Sequence, residues 1–348
     1  MIGLLPTVVG LDPGTANTLL YIKGRGVAVN EPSLVTLRTS TGAIEAVGGE
    51  AEAGRGRTPQ KLQTARPMTA GIVNDHRLFR GMLQRFLRKA HIAGSLHRLK
   101  VVIAVPGRMT EVERRELIES LRNVGAAEVI LVDQAIAAGR RAGLPIEEPR
   151  GRVVVNIGAG VTDVALISLG SIVCARATRF AGDEMDAAIA AHVQATHQLF
   201  IGVPTSERLK IQVGSAVSDH QEAGLSVKGR CIRRGVPREA TIRGSEVREA
   251  LCTPLEQILN TIREVLEQAP PELGSDLLDT GIMLTGGSAL LRNLDRLIRT
   301  AVRLPVKVSP VPLSCVILGL AHQVNHLRRV EWRPFGNGHR MDGLNQSS

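Results

Sequence analysis

Three glycine-bearing turns each stand directly after a short apolar run. Asp12-Pro13-Gly14-Thr15 follows Val8–Leu11, Asn156-Ile157-Gly158-Ala159-Gly160 follows Val153–Val155, and Thr285-Gly286-Gly287-Ser288 follows Ile282–Leu284. Backbone N–H groups at such turns form concavities that bind anions, and glycine lets a phosphate approach the chain closely. A single turn of this kind serves geometry more often than chemistry. Two similar ones, a domain's length apart, point to phosphates clamped between two similar halves. Asp12 is placed to hold a hydrated Mg²⁺, which keeps several waters and takes few protein carboxylates. Other chemistries lack their residues. No nucleophile elbow or Gly-x-x-x-x-Gly-Lys phosphate loop occurs. Cys174, Cys231, Cys252 and Cys315 are too scattered for a zinc spacing, and His322 and His326, four apart, have no evident third ligand.

The elements that must position these turns alternate along the chain. Val8–Leu11 and Leu19–Ile22 read as strand, turn, strand. Val101–Val105 is an apolar run of the kind buried on both faces. Thr110-Glu111-Val112-Glu113 then fits a capping box, and Leu117, Leu121 and Val124 recur at helical spacing up to Gly125. Val129–Val132 is a further strand. The segments VVGLDPGTANTLLYI, from Val8, and VVVNIGAGVTDVALI, from Val153, can be written over each other, which implies an internal duplication. Helices are expected after Gly182-Asp183, over Thr205–Val213, over about 245–266 with Pro254 kinking it or weakening its first turns, and from Ala289. Residues 221–244 read as a hairpin or irregular segment.

The 348 residues are 43% hydrophobic and 22% charged, which excludes a disordered or collagen-like chain. Apolar runs fall short of the roughly 18 residues of a membrane span, and Met1–Gly10 has no signal-peptide pattern, so the expected setting is the cytosol. The net charge is +10, and only seven of the 43 basic residues are lysine. Such a surface favours anionic partners. With one Trp, one Tyr and five Phe, few rings are left to stack bases, which argues against nucleic acid.

At this point the residues match a family. The chain resembles the actin superfamily of ATP-binding proteins, and within it closely resembles the MreB family of bacterial actins. The matching segments are Asp12–Thr18, Asn30–Ser33, Gly56–Pro59, Arg66-Pro67, Val105-Pro106, Thr110–Glu113, Ala142–Pro145, Ala181–Glu184 and Leu284–Gly287, in the family's order over nearly the whole chain. The resemblance implies an α/β, actin-like ATPase fold of two similar halves around a nucleotide cleft. These would be residues 1–145 (small subdomain about 31–70) and 146–311 (small subdomain about 184–244). A C-terminal helix, 312–330, would pack back on the first half, and a tail, 331–348, reads as disordered.

Carried over position by position, the resemblance has Thr15, Ala16, Asn17 and Thr18 wrap the phosphates of ATP, with Asp12 near Mg²⁺. Asn156, Gly158, Ala159 and Gly160 would form the opposing loop. Glu207 and Lys210, with Arg208 and Leu209 between them, would flank the adenosine; unaided, Glu207 and Lys210 read as a solvated ion pair. Gly286, Gly287, Ser288 and Ala289 would pass beneath the nucleotide, and Gln134 would orient the attacking water.

Several positions depart from the family pattern. Asp133-Gln134-Ala135 stands where relatives have Glu-Glu-Pro, and Asn156 where they have Asp. Asn keeps the shape and loses the charge, which weakens the hold on hydrated Mg²⁺ or on the attacking water. Val161 replaces a Thr, Ala159 and Ser288 each replace a glycine, and Pro13 removes a backbone donor from the first loop. ATP binding with slow hydrolysis is therefore expected.

The family implies a self-assembling, cell-shape-determining filament, paired antiparallel, which works with inner-membrane wall-elongation proteins and lies on the inner face of the cell membrane. Met1–Pro6 is too short for a stable helix of its own. Leu96, near the family's membrane loop, is flanked by His97 and Arg98, so contact with an anionic membrane would lean on positive charge. The alternative is a degenerate accessory subunit that co-assembles with an actin-like paralogue. A sugar-kinase-like enzyme lacks a candidate catalytic Asp, and a heat-shock-type chaperone lacks room for a substrate domain.

Overall fold

The apolar runs that flank the first turn become the centre of a sheet. In a computed structural model, which describes residues 7–56, 59–92, 99–107, 109–218 and 223–327, Val8–Leu11 lie in strand β1 (Thr7–Pro13), followed by β2 (Asn17–Ile22) and β3 (Gly26–Pro32). Two antiparallel pairings build β1-β2-β3. On the other side of β1, β9 (Leu99–Val105) and β10 (Ala126–Asp133) pair in parallel, giving the order β10-β9-β1-β2-β3. Between β3 and β9 lie β4 (Val35–Arg38), β5 (Ile44–Val47), α1 (Gly49–Ala53), β6 (Leu62–Ala65), β7 (Met68–Thr69), β8 (Ile72–Val73) and α2 (His76–Lys89). Of these, β5-β4-β6 form a small antiparallel sheet. Sequence patterning gave no sign of these short strands, because four residues hold too few alternations to show a period.

The crossover from β9 to β10 is α3 (Glu111–Val124). Its capping box is formed: Thr110 Oγ1 accepts from Glu113 N, and Glu113 Oε2 accepts from Thr110 N at 2.7 Å. Gly125 ends it in the left-handed region, at φ 107°. Next, α4 (Gln134–Arg141) is capped by Asp133, whose Oδ1 accepts from Ala135 N at 2.8 Å.

The second half repeats the plan. Strands β11 (Arg152–Ile157), β12 (Thr162–Ser168) and β13 (Ser171–Thr178) are antiparallel. Then come α5 (Gly182–His197), β14 (Leu199–Phe200), α6 (Val203–Val213), β15 (Gly224–Cys231), β16 (Pro237–Arg243), α7 (Gly244–Glu267), α8 (Pro271–Thr280), β17 (Ile282–Thr285), α9 (Leu294–Val302), β18 (Val306–Val308) and α10 (Cys315–His326). Its main sheet, β13-β12-β11-β17-β18, has the same order and directions as the first, with β17 and β18 parallel to β11. The duplication seen in two hairpins therefore extends over whole sheets. A three-stranded sheet, β14-β15-β16, forms beside α6.

Each sheet has its own apolar core on one face, the first with Phe79, Met82 and Phe86 of α2, the second with Leu251, Ile258 and Ile262 of α7. A third cluster joins the two sheets through α4 and α10, with Val102, Ala138, Val154, Ile167, Ile317 and Leu320. The helices cross so closely that a Cβ on Gly319 would lie 1.9 Å from Ala137 O.

The long helix expected over about 245–266 is α7, which runs through Pro254; that residue is buried on the apolar face with Leu251, Leu255 and Ile258, and burial of that face offsets the lost hydrogen bond. One helix expectation is corrected. No long helix starts at Ala289. A 3₁₀ turn, Gly287–Leu290, ends at Leu291, and α9 opens at Leu294 after Asn293 in the left-handed region at φ 59°. Met1–Pro6, Arg57, Thr58, Leu96–Arg98 and the tail 331–348 lie outside the described residues.

Candidate functional site

All three turns open into one cavity of about 440 Å³ between the two main sheets. Asp12, Thr15, Ala16 and Asn17 line it from the first half, with Gln134 at the start of α4. Asn156, Gly158, Ala159, Gly160, Glu207, Lys210, Gly286, Gly287 and Ser288 line it from the second. Strand ends place these residues because each turn follows a strand whose apolar side chains are fixed in a core.

The turns are tight enough to require their glycines. A Cβ on Gly14 would lie 2.6 Å from Asn17 O, and one on Gly160 would lie 2.6 Å from Thr15 Oγ1. The second contact means that the two duplicated turns touch across the cleft. Thr15 Oγ1 accepts from Gly71 N at 3.2 Å, so the β7–β8 turn is drawn onto the same point. Gly286 holds φ at 84°, and a Cβ there would meet Ile157 O at 2.3 Å.

Four expected contacts do not reach the cavity. Thr18 is buried, its Oγ1 lying 2.8 Å from Ser33 Oγ, and Ser33 Oγ in turn donates to Gly14 O at 2.6 Å. Thr18 therefore shapes the first turn from behind. Leu209 and Ala289 belong to the second core, and Arg208 is exposed on α6. Helical geometry explains the split on α6, since Glu207, Lys210 and Ile211 share the face that borders the cavity while Leu209 faces inward.

Lys210 does not pair with Glu207. Its Nζ lies 2.9 Å from Asp186 Oδ1 and donates to Gly182 O at 3.0 Å, tying α6 to the start of α5. Burial pushes the Asp186 carboxyl up to about 6 despite Lys210 pulling it down. Asp183, Asp186 and Gly182 line the cavity without having been singled out as site residues, and so does Arg66. The available signal was Gly182-Asp183 opening a helix, a position that favours anions. Arg66 Nη1 reaches across to Asp183 Oδ2 at 2.7 Å.

Two of the departures from the family pattern, Asn156 and Ser288, form hydrogen bonds that link the turns. Asn156 is buried, its Oδ1 accepts from Thr285 Oγ1 at 3.1 Å, and its Nδ2 donates to Gln134 Oε1 at 3.3 Å. A carboxylate at 156 could not make the second bond. Ser288 Oγ donates to Gly158 O at 2.8 Å, linking the third turn to the second.

Asp12 is buried, and loss of water raises its carboxyl from 3.8 to about 7. No basic side chain offsets that burial, which is the electrostatic setting a cation would relieve, so the residue suits a hydrated Mg²⁺. Behind the site, Asp163 is raised to about 7 by burial and by the neighbouring Asp133. Its Oδ2 is buried and has no hydrogen-bond partner among the described residues.

Known proteins share this architecture. The family described as MreB/Mbl protein matches residues 6–331. The cell shape-determining protein MreB of Escherichia coli K12 is 42% identical over 322 residues, 91% of this chain and 93% of that one. Mbl of Bacillus subtilis 168 is 36% identical over 325 residues, 93% of this chain and 98% of that one. The crystal structure of MreB5 of Spiroplasma citri bound to AMPPNP superposes with a TM-score of 0.87 at 35% identity, covering 90% of this chain and 95% of that one. A MamK double helical filament, 21% identical with a TM-score of 0.79 over 92% of this chain and 99% of that one, shares the fold. With its two like sheets, its cleft and a match over nearly all its length, the chain has an actin-like fold and belongs to the MreB/Mbl family.

Proposed function

We propose that this protein is an ATP-binding, filament-forming, actin-like cytoskeletal protein that determines cell shape and directs where wall is made. The observation that carries the reading is the convergence of three strand-end turns from two like halves on one cavity. Its relative MreB5 of Spiroplasma citri is described with both AMPPNP and ADP. ATP would lie with its phosphates between the Thr15–Asn17 and Gly158–Gly160 turns, hydrated Mg²⁺ beside Asp12, and adenosine toward Glu207 and Lys210. The halves 1–145 and 146–311 would then move as two bodies about α4 and α10. The nucleotide, touching both, would favour the closed arrangement in which subunits associate.

Hydrolysis is proposed to be slow. Gln134 Oε1 is the group that would orient the attacking water by accepting a hydrogen bond from it, and Asn156 already donates to that oxygen. The neutral Asn156 also leaves one fewer carboxylate for metal or water. Each loss of about 1.4 kcal/mol in the transition state slows the reaction tenfold.

The partners would be further copies of the chain in antiparallel paired filaments, wall-elongation proteins, and the anionic inner face of the cell membrane. No described helix is long and apolar enough to cross a membrane, so contact would be peripheral. Membership of the MreB/Mbl family sets aside the sugar-kinase reading. The complete set of turns favours self-assembly over an accessory subunit that needs a paralogue. Electron microscopy of the purified protein on anionic vesicles, with MgATP, ADP or no nucleotide, tests this. Paired filaments with ATP alone support it; an ATP-binding protein that assembles only with a paralogue replaces it with the accessory reading.

A further inference from the structure

Asn156 and Asp163 stand directly opposite each other in the antiparallel β11–β12 ladder. Opposite residues share a face of the sheet, with Cβ atoms about 5 Å apart. Here that face is the seam, because Val154 of β11 and Ala165 and Ile167 of β12 lie in the cluster that joins the two halves. Asp163 is only 5% exposed, and its Oδ2 has no hydrogen-bond partner among the described residues. It stands beside Asn156, which lines the cavity and bonds Gln134 there.

The other aspartates around the cavity are committed. Asp12 suits hydrated Mg²⁺, Asp183 pairs with Arg66, Asp186 pairs with Lys210, and Asp133 caps α4 through Oδ1. The second oxygen of Asp133 reaches the seam: a Cβ on Gly107 would lie 2.8 Å from Asp133 Oδ2 and 3.8 Å from Ile172 Cδ1 of the other half. Burial raises the Asp163 carboxyl to about 7, and the facing charge of Asp133 adds to the effect. Asp133 is itself raised by burial, with Arg114 of α3 opposing. The remaining neighbours, Asn156 on β11, Ala177 on β13 and Gln134 on α4, do not ionise. A base that titrates near the working pH combines a usable charge with a real affinity for the proton.

Hydrolysis of ATP must move a proton off the attacking water, and Gln134 and Asn156 are amides that cannot take one. We propose that Asp163 accepts this proton through one intervening water, a role that rests on the ATP reading above. The oxygen of the attacking water bonds to the γ-phosphorus as the bond from that phosphorus to the β–γ bridging oxygen breaks. Its proton passes to the intervening water, which gives one of its own to Asp163 Oδ2, and the carboxylate becomes a carboxylic acid. The acid returns the proton to solvent once phosphate has left. An unpaired carboxylate at this position lowers stability above neutrality, and proton acceptance gives that loss a purpose.

The test is phosphate release by the full chain with MgATP under assembly conditions, from about pH 5 to about pH 9, with ATP affinity measured beside it. The rate of the unmodified chain should rise with pH through a midpoint at about 7, because the ionised carboxylate is the acceptor. Asp163→Asn should bind ATP as the parent does, release phosphate about tenfold or more slowly at about pH 8, and show no such midpoint. Asp133→Asn keeps an oxygen to cap α4 and should move the midpoint to lower pH by removing the facing charge. A second readout needs no nucleotide. The infrared band of a protonated carboxyl, taken as parent minus Asp163→Asn, should be present at about pH 6 and absent at about pH 8. A slow Asp163→Asn that keeps the parent's midpoint would overturn the proposal, since a structural role alone produces that result. So would a variant with the parent's rate, or a difference spectrum without the band. A chain that binds ATP and releases no phosphate at any pH would overturn this step alone; one that binds no ATP would overturn the ATP reading with it.

Discussion

Arg66 and Asp183 join the two halves of the protein across the mouth of the cleft, Arg66 Nη1 donating to Asp183 Oδ2 at 2.7 Å. Arg66 follows β6 in the first half, and Asp183 lies in the first turn of α5 in the second. Both line the cavity, so whatever occupies it shares its walls with this bond.

The pair should slow nucleotide release. Both side chains are partly exposed, at 24% and 35%, so the bond is worth about 1 kcal/mol. Arg66→Ala is expected to speed nucleotide dissociation roughly fivefold, measured with a fluorescent ATP analogue. Asp183→Ala should do the same, and the double variant no more than either alone. Additive effects would show that the residues act separately.

Asn156→Asp should restore hydrolysis. The carboxylate cannot donate to Gln134 Oε1, which frees that oxygen for water and returns a charge to the surroundings of the proposed Mg²⁺. Phosphate release under assembly conditions is expected to rise at least about tenfold, with a smaller change in ATP affinity. A rate at or below that of the unmodified chain would remove Asn156 as the cause of slow turnover.

Asp163→Asn should stabilise the protein above neutrality. The folded carboxyl titrates at about 7 against 3.8 for the free group, so between these values the folded chain holds a proton the unfolded chain has lost. Stability from this group is therefore present below about pH 4 and falls as the pH rises to about 7. At about 1.4 kcal/mol per pH unit, the loss at pH 8 has an upper bound of about 4 kcal/mol. Thermal melts should show the Asn variant gaining on the parent as pH rises from 4 to 8. A difference independent of pH would contradict the assignment, as would an unchanged parent curve.

Gly319→Ala should loosen the seam between the halves. The added methyl would sit 1.9 Å from Ala137 O, a backbone atom that α4 cannot move without shifting Gln134. A loss of about 2 kcal/mol or more is expected, a fall of several degrees in Tm for a chain of this size. Gly274→Ala, which meets nothing within 4 Å on α8, is the control. Equal melting temperatures would show that the α4–α10 contact relaxes without cost.

Much of the site was legible because its signals are local. A strand end, a glycine and a short polar residue occupy consecutive positions, so the three turns and their order could be read directly. The capping box of α3 was legible for the same reason: Thr110 and Glu113 are three residues apart and bond to each other. Arg66 and Asp183 stood in segments that match the family, yet nothing beside them along the chain gave either a role, and Asp186 carried no signature at all. Their meaning comes from partners 117 positions away for Arg66 and on another helix for Asp186, and a charged residue without a visible partner reads as solvated surface.

Within α6, spacing placed Glu207 and Lys210 on one face, yet Asp186 was the partner that burial selected for Lys210. The segment after Thr285 shows the same limit from the other side, since the local pattern read as a helix from Ala289 and the structure has a 3₁₀ turn, Gly287–Leu290, before α9 opens at Leu294. By itself the sequence determined the repeated strand–turn–strand units, the helix caps and the charge, all consequences of neighbours along the chain. Only the tertiary structure decided that the two glycine turns touch at Thr15 and Gly160, that Asn156 bonds Gln134, and that Thr18 stays behind the site. Those relations depend on how two sheets close over α4 and α10, and a contact between distant residues has no energy until the cores that hold them have formed.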